Sequence, residues 1–378
     1  MKKSGVILGA IILLVIFGVL VFFTQTSPNA KFGLQNEKIK IGVVAPFSGN
    51  SAWFGQFIRN GVELAVDKLT SEEKSSLEII WEDDKCESIS AISAVQKLIF
   101  VDGVKYVIGP LCNESVIPTE KLFEENKVIS LTAGQPNNKI ANMGKYHFAY
   151  LPEIQYVMKQ LAQYAYSKWD RKIAILYIKG DYGYENYFYF KKYFTELGGE
   201  VVAEELTNID STDAKIQLTK IKSANPDSIL LATHGASLIN ALTQMEVLGL
   251  NKIDRYGINA FETPQVLASV PDLAEGVVYP TPADSSMPNS VNEYSANYMK
   301  KYGVVKDIYS ANAFDSFNIL YSAIKFCSKD SDCVLTKIST IKNYAGANGI
   351  LNIDERGVGY YPKYTLKTVK DGNFVTLN

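Results

Sequence analysis

The cysteines and histidines of this 378-residue sequence, side chains suited to nucleophilic, redox or metal-ligand chemistry, are Cys86, Cys112, Cys327, Cys333, His147 and His234. Cys112 stands in YVIGPLCNES, where an apolar run meets a cysteine, an asparagine and a glutamate. A thiol in that setting reads as a nucleophile at a helix start, a metal ligand, or half of a disulfide that shapes a binding turn. A nucleophile needs a nearby base and a reducing environment. Zinc favours closely spaced cysteines with histidines, and no C-x-x-C occurs. The patterns G-x-S-x-G, H-E-x-x-H, G-x-x-x-x-G-K and G-x-G-x-x-G are all missing from the sequence. Neither catalysis nor a cofactor is expected.

Compartment decides among the readings of the thiol. After Met1, Lys2, Lys3 and Ser4 comes GVILGAIILLVIFGVLVFF, nineteen uncharged residues from Gly5 to Phe23. That length crosses a bilayer, and the following TQTSPNA lacks a convincing small-x-small cleavage site. A retained anchor over residues 1–27 is therefore expected in preference to a removed signal, with 28–37 as a linker. Lys2 and Lys3 keep the short flank cytoplasmic and send the remainder outside. Thiols there tend to be oxidised, and an even number of cysteines favours two disulfides. Spacing pairs Cys86 with Cys112 and Cys327 with Cys333, the second closing FCSKDSDC. Closing the first loop contributes on the order of 3 kcal/mol. With 38 Lys and Arg against 40 Asp and Glu, no surface suited to nucleic acid is expected.

The elements that must position these residues alternate. KIKIGVVAPFSG reads as a buried strand feeding a loop, and WFGQFIRNGVELAVDKL follows with Ile58, Val62, Ala65, Val66 and Leu69 at helical spacing. LEIIWEDD, VKYVIG and KVISL are further strands, with helices over 89–99 and 116–125 between them. At Arg171 the pattern restarts: RKIAILYI, EVVAEEL, SILLAT, RYGI and GVVYP are strands, with helices following Asp181, Ala214 and Ala236. Beyond Pro282 two more helices and strand-like segments such as YYPKYTLKTV remain. Strand-helix alternation implies parallel sheets covered on both faces, hence an α/β chain of two doubly wound lobes. Ligands of such sheets bind at the carboxyl ends of strands. Those ends carry Ser48, Trp53, Phe54, Asn113, Glu114 and Thr132 to Gly134 in the first half, and Asp181, Tyr182, Tyr184, His234 and Asn259 in the second. A cleft of aromatic and hydrogen-bonding groups suits a small polar molecule.

In order along the chain, KIKIGVVAPFSGNSAWFGQFIRNGVELAV, DDKCES, VKYVIGPLCNES, KIAILYIKGDYGYE and ANGILNIDERG resemble the extracytoplasmic solute-binding proteins of the Leu/Ile/Val type that serve ABC transporters. The resemblance runs from about Lys38 to the C-terminus. It implies a type I periplasmic binding protein fold, two Rossmann-like lobes joined by three crossover strands. The expected division is 38–151 plus 282–360 for the N-terminal lobe and 152–281 plus 361–378 for the C-terminal lobe. It also implies the Cys86–Cys112 disulfide and a ligand site of Phe54, Asn113, Thr132, Ala133, Gly134, Tyr182, His234 and Asn259, with Gln135 entering if the third loop slips by one residue. Asn259 stands where the family has the glutamate that pairs a ligand ammonium. Glu114, Asp181 or Glu262 can take that task, or the ligand can lack an ammonium.

The function implied is capture of an amino acid, or a related small amide or carboxylate, by closure of the lobes, with delivery to an ABC permease. The alternative is a ligand-sensing ectodomain acting with a signalling partner. Such receptors usually continue into a C-terminal span, whereas this sequence runs out through GNFVTLN, which favours transport. Two local readings compete with the site. Asn113 can be a turn and cap residue, and N-E-S is also a glycosylation sequon.

Overall fold

The computed structural model describes residues 38–209, 211–281, 289–362 and 364–377. The expected anchor and linker lie outside the described residues. Strands β1 (Ile39–Ala45), β2 (Leu77–Asp83), β3 (Tyr106–Ile108), β4 (Ile129–Thr132) and β5 (His147–Ala149) form one sheet in the order β2-β1-β3-β4-β5, with every pair parallel. Strands buried on both faces read as near-continuous apolar runs, as IGVVA does after Lys40 in β1. Helix α1 (Ala52–Asp67) follows β1, α2 (Ser88–Gln96) follows β2 and α3 (Asn113–Asn126) follows β3. On α1 the buried stripe is Phe54, Phe57, Ile58, Val62 and Ala65, spaced to keep one face inward. Past Gln96 the chain widens into a π turn, Lys97–Val101, which buries Leu98 and Ile99.

Helix α4 (Ile154–Ser167) leads into the second sheet. Its strands β6 (Lys172–Ile178), β7 (Glu200–Thr207), β8 (Ser228–Ala232), β9 (Asp254–Gly257) and β10 (Val278–Thr281) are parallel in the order β7-β6-β8-β9-β10. Counted from its own first strand, each sheet therefore runs second, first, third, fourth, fifth. Helices α5 (Asp181–Glu196), α6 (Lys215–Ser223) and α7 (Gly235–Leu248) make the crossovers. The restart at Arg171 is thus a second copy of one architecture, and the chain is a two-lobed α/β protein.

The last third of the chain serves both lobes. Helices α8 (Asn289–Tyr302) and α9 (Ile308–Phe326) lie with the first. Asn60 of α1 donates to the Tyr298 hydroxyl over 3.0 Å, and α9 crosses so close to α1 that a Cβ on Gly61 would collide with the Ser310 carbonyl oxygen. Only glycine permits that approach. A third helix, α10 (Ser331–Ser339), follows where the sequence reading expects two; Asp330 caps it and the Cys327–Cys333 bond ties it to the end of α9. The antiparallel strands β11 (Tyr344–Gly346), β12 (Gly349–Ile353) and β13 (Gly359–Tyr360) form a small sheet, which meets the first sheet through a bridge from Val358 to Ala149. Finally β14 (Thr365–Lys370) and β15 (Asn373–Thr376) extend the second sheet, with β14 antiparallel to β10.

Candidate functional site

In an open parallel sheet whose strand order reverses, the loops leaving the two strands at the reversal diverge and leave a crevice. Here the reversals fall between β1 and β3 and between β6 and β8. The loops beyond these four strands surround a cavity of about 180 Å3. From the first lobe come Ser51, Phe54, Leu111, Asn113, Glu114, Gly134, Gln135 and Tyr309, together with the Cys86–Cys112 disulfide. From the second come Ile178, Lys179, Gly180, Tyr182, Gly183, Ile209 and His234. The opening question about Cys112 is answered by position: it is bonded to Cys86 and stands as the residue preceding α3.

The lobes touch across this cavity. His234 lies edge-on to Phe54, with ring centroids 5.4 Å apart, and 5.8 Å from Trp53. The Glu114 carboxylate accepts the Asp181 backbone N–H at 3.3 Å, so a side chain on α3 meets the first residue of α5. Tyr182 donates from its hydroxyl to the Asn259 carboxamide oxygen, and the Tyr309 hydroxyl of the first lobe lies beside it. Gly235, at φ +56°, sits against the Trp53 ring, and its left-handed conformation favours glycine there.

Electrically the cavity is almost neutral. Burial holds the Tyr182 phenol above its usual range and pushes His234 down to about 4, so both are uncharged at neutral pH. The Asn113 and Gln135 side chains, each 4% exposed, carry amide groups that find no hydrogen-bond partner in the protein: Nδ2 of Asn113, and both Nε2 and Oε1 of Gln135. An unpartnered buried amide is costly, and a bound solute that meets it recovers the loss. The buried position of Asn113 leaves the N-E-S sequon no room for a glycan in this conformation.

Of the residues singled out from sequence, Phe54, Asn113, Gly134, Tyr182 and His234 line the cavity. Thr132 and Ala133 stand behind it. The Thr132 hydroxyl donates to the Pro110 carbonyl at 2.5 Å and accepts from the Gly134 N–H, while the Ala133 carbonyl accepts from Asn312. Gln135 takes the contact position instead. Asn259 is buried one hydroxyl away, beyond Tyr182. Ser48 is tied to Asp83, and Trp53 lines an adjacent cavity of about 250 Å3. Glu262 is paired with Lys367. Sequence reading missed Leu111, Ile178, Lys179, Ile209 and Tyr309.

Neutral His234 gives a pH dependence. Its ordinary pKa is 6.5 and its buried value about 4, so closure over it expels a proton wherever the open cleft leaves it wet. Between those values the open state binds more protons than the closed one, and falling pH favours opening. Solute affinity is expected to fall by up to about tenfold per pH unit from pH 6.5 towards 4. Calorimetric titration across that range checks it. A His234→Phe variant should flatten the profile; an unaltered slope in that variant would assign the effect elsewhere.

Two lobes of like topology, with a cavity lined by the loops at their reversals, make an architecture able to enclose a small solute. The chain belongs to the periplasmic binding protein family, whose model matches residues 38–372. It is 25% identical over 342 residues to the Leu/Ile/Val-binding protein BraC3 of Rhizobium johnstonii, covering 86% of this chain and 89% of that one. In fold it is similar to the leucine binding protein LivK of Thermotoga maritima (TM-score 0.82, 23% identity, 90% of this chain and 98% of that one). It is equally similar to an ABC-transporter solute binding protein of Rhodopseudomonas palustris in complex with 3,4-dihydroxybenzoic acid (TM-score 0.83, 23% identity, 90% and 96% covered). The family is one of solute-binding proteins, and membership implies an extracytoplasmic location.

Proposed function

We propose that this protein captures a small solute bearing a carboxylate or carboxamide, the class that includes amino acids, and presents it to an ABC permease. The observation that carries the reading is the pair of buried, unpartnered amides, Asn113 and Gln135, in a cavity that both lobes line. In this reading Phe54, Gly134, Tyr182 and His234 also touch the solute, and Thr132, Ala133 and Asn259 hold the loops that present those contacts. The solute first meets the first lobe, where α3 begins. The second lobe then swings in, bringing Tyr182 and His234. Closure is favoured only by contacts made in the closed form, which is what couples binding to shape. The apolar run Gly5–Phe23 would keep the trap beside its permease and raise its effective concentration there.

A thermal-shift panel of amino acids, amides and small carboxylates on the full-length chain tests this. At least one compound is expected to raise the melting temperature by several degrees and to be recovered chemically unchanged. No shift from any member, or conversion of the compound, would overturn it.

A further inference from the structure

Resting on that reading of the cleft, we propose that the solute is a small monocarboxylic acid with an apolar or aromatic body and no ammonium group. The cavity is rich in donors. Beside the Asn113 and Gln135 amides, α3 begins with N–H groups of Asn113 and Glu114 that no described residue accepts; the first bonds of that helix come from Ser115 and Val116 to the Cys112 carbonyl. Free N–H groups at the start of a fourteen-residue helix favour an anion. Lys179, exposed at the rim, adds positive charge of its own.

Anionic partners for a buried ammonium are scarce by comparison. Glu114 is the only carboxylate among the described residues lining the cavity, and one of its two oxygens accepts the Asp181 N–H across the lobes. Glu262 is held by Lys367 at 2.6 Å, and the Asn259 oxygen is taken by Tyr182. His234 is uncharged and brings no anion. An ammonium closed into this space would have only the remaining oxygen of Glu114 as an anionic partner, and without it the buried charge costs orders of magnitude in affinity. The remaining wall is apolar, from Phe54, Leu111, Ile178, Ile209 and Tyr309. A dry cavity of about 150 Å3 is known to admit benzene, so the space here suits a body of that size with a carboxylate at one end.

The test titrates the full-length chain calorimetrically with matched probes: 4-methylpentanoate against leucine, and 3-phenylpropanoate against phenylalanine. In at least one pair the acid is expected to bind about tenfold or more tightly than the amino acid. Amino acids that equal or beat their deaminated partners in both pairs would overturn the proposal. So would silence from both acids while the thermal-shift panel identifies another solute, and that outcome leaves solute capture standing. In Glu114→Gln the acid should keep its lead. A lead that appears only in that variant would make Glu114 the ammonium partner and overturn the proposal.

Discussion

Lys367→Ala is expected to lower stability by about 3–5 kcal/mol, because it leaves Glu262 buried without its partner charge. The two side chains are 10% and 4% exposed, and their charged atoms lie 2.6 Å apart. Lys367 is placed by β14, which runs antiparallel to β10 with Lys367 opposite Tyr279. Glu262 closes the short 3-10 turn Asn259–Phe261 beside the cleft. The pair thus ties the end of the chain to the loop that supports Tyr182. Replacing both together, Glu262→Leu with Lys367→Met, removes the two charges at once and should recover most of the loss. Urea unfolding of both variants measures this. A single variant within about 1 kcal/mol of the native protein would show that the pair is solvated, and would return Glu262 to the list of groups available to a solute.

Tyr182→Ala is expected to weaken solute affinity by about tenfold to a hundredfold, while the solute-free protein melts close to the native value. The asymmetry follows from where its contacts lie. Its ring stands 6.0 Å from that of His234, and its hydroxyl donates to Asn259 of its own lobe while facing Tyr309 of the first. Opening the cleft takes it away from Tyr309 in any case, so that contact adds little to the open form and much to the closed one. Tyr182→Phe, which keeps the ring and loses the hydroxyl, should fall between. Calorimetry with the best-shifting panel compound, alongside melting curves without it, separates binding from folding. Unchanged affinity in Tyr182→Ala would remove this residue from the closing surface.

Much of this arrangement was legible in the sequence because alternation fixes it. The apolar run IGVVA and the stripe through Ile58, Val62 and Ala65 specify a buried strand and a one-faced helix, and the restart at Arg171 repeats the pattern. Once two parallel sheets are expected, a ligand is expected just past β1, β3, β6 and β8, and Phe54, Asn113, Tyr182 and His234 all line the cavity there. The cysteine pairs followed from compartment and spacing, and both bonds are present.

What escaped has physical reasons too. Tyr309 reaches the cavity from α9, nearly two hundred residues after the loops it joins, and only the close crossing allowed by Gly61 brings it there. Thr132 and Gln135 cannot be told apart by type. A hydroxyl that bonds the Pro110 carbonyl is spent on the neighbouring loop after β3, and the contact passes to the residue three places on. Helix α4 does carry its apolar residues Ile154, Val157, Met158, Leu161, Ala162 and Ala165 at helical spacing, a signal that the interleaved tyrosines and glutamines dilute. Strand β5 has three residues, too few for any periodicity.

The central claim is that a solute sits between the lobes, held at the start of α3 and covered by Tyr182. A crystal structure of the protein grown with the panel compound that stabilises it most would test this directly. The account predicts the compound enclosed by Phe54, Asn113, Gln135, Tyr182 and His234, with its carboxylate or amide on the Asn113 side. A compound found instead in the separate pocket formed by Tyr156, Arg356 and Tyr360, with the interlobe cavity filled by water alone, would contradict it.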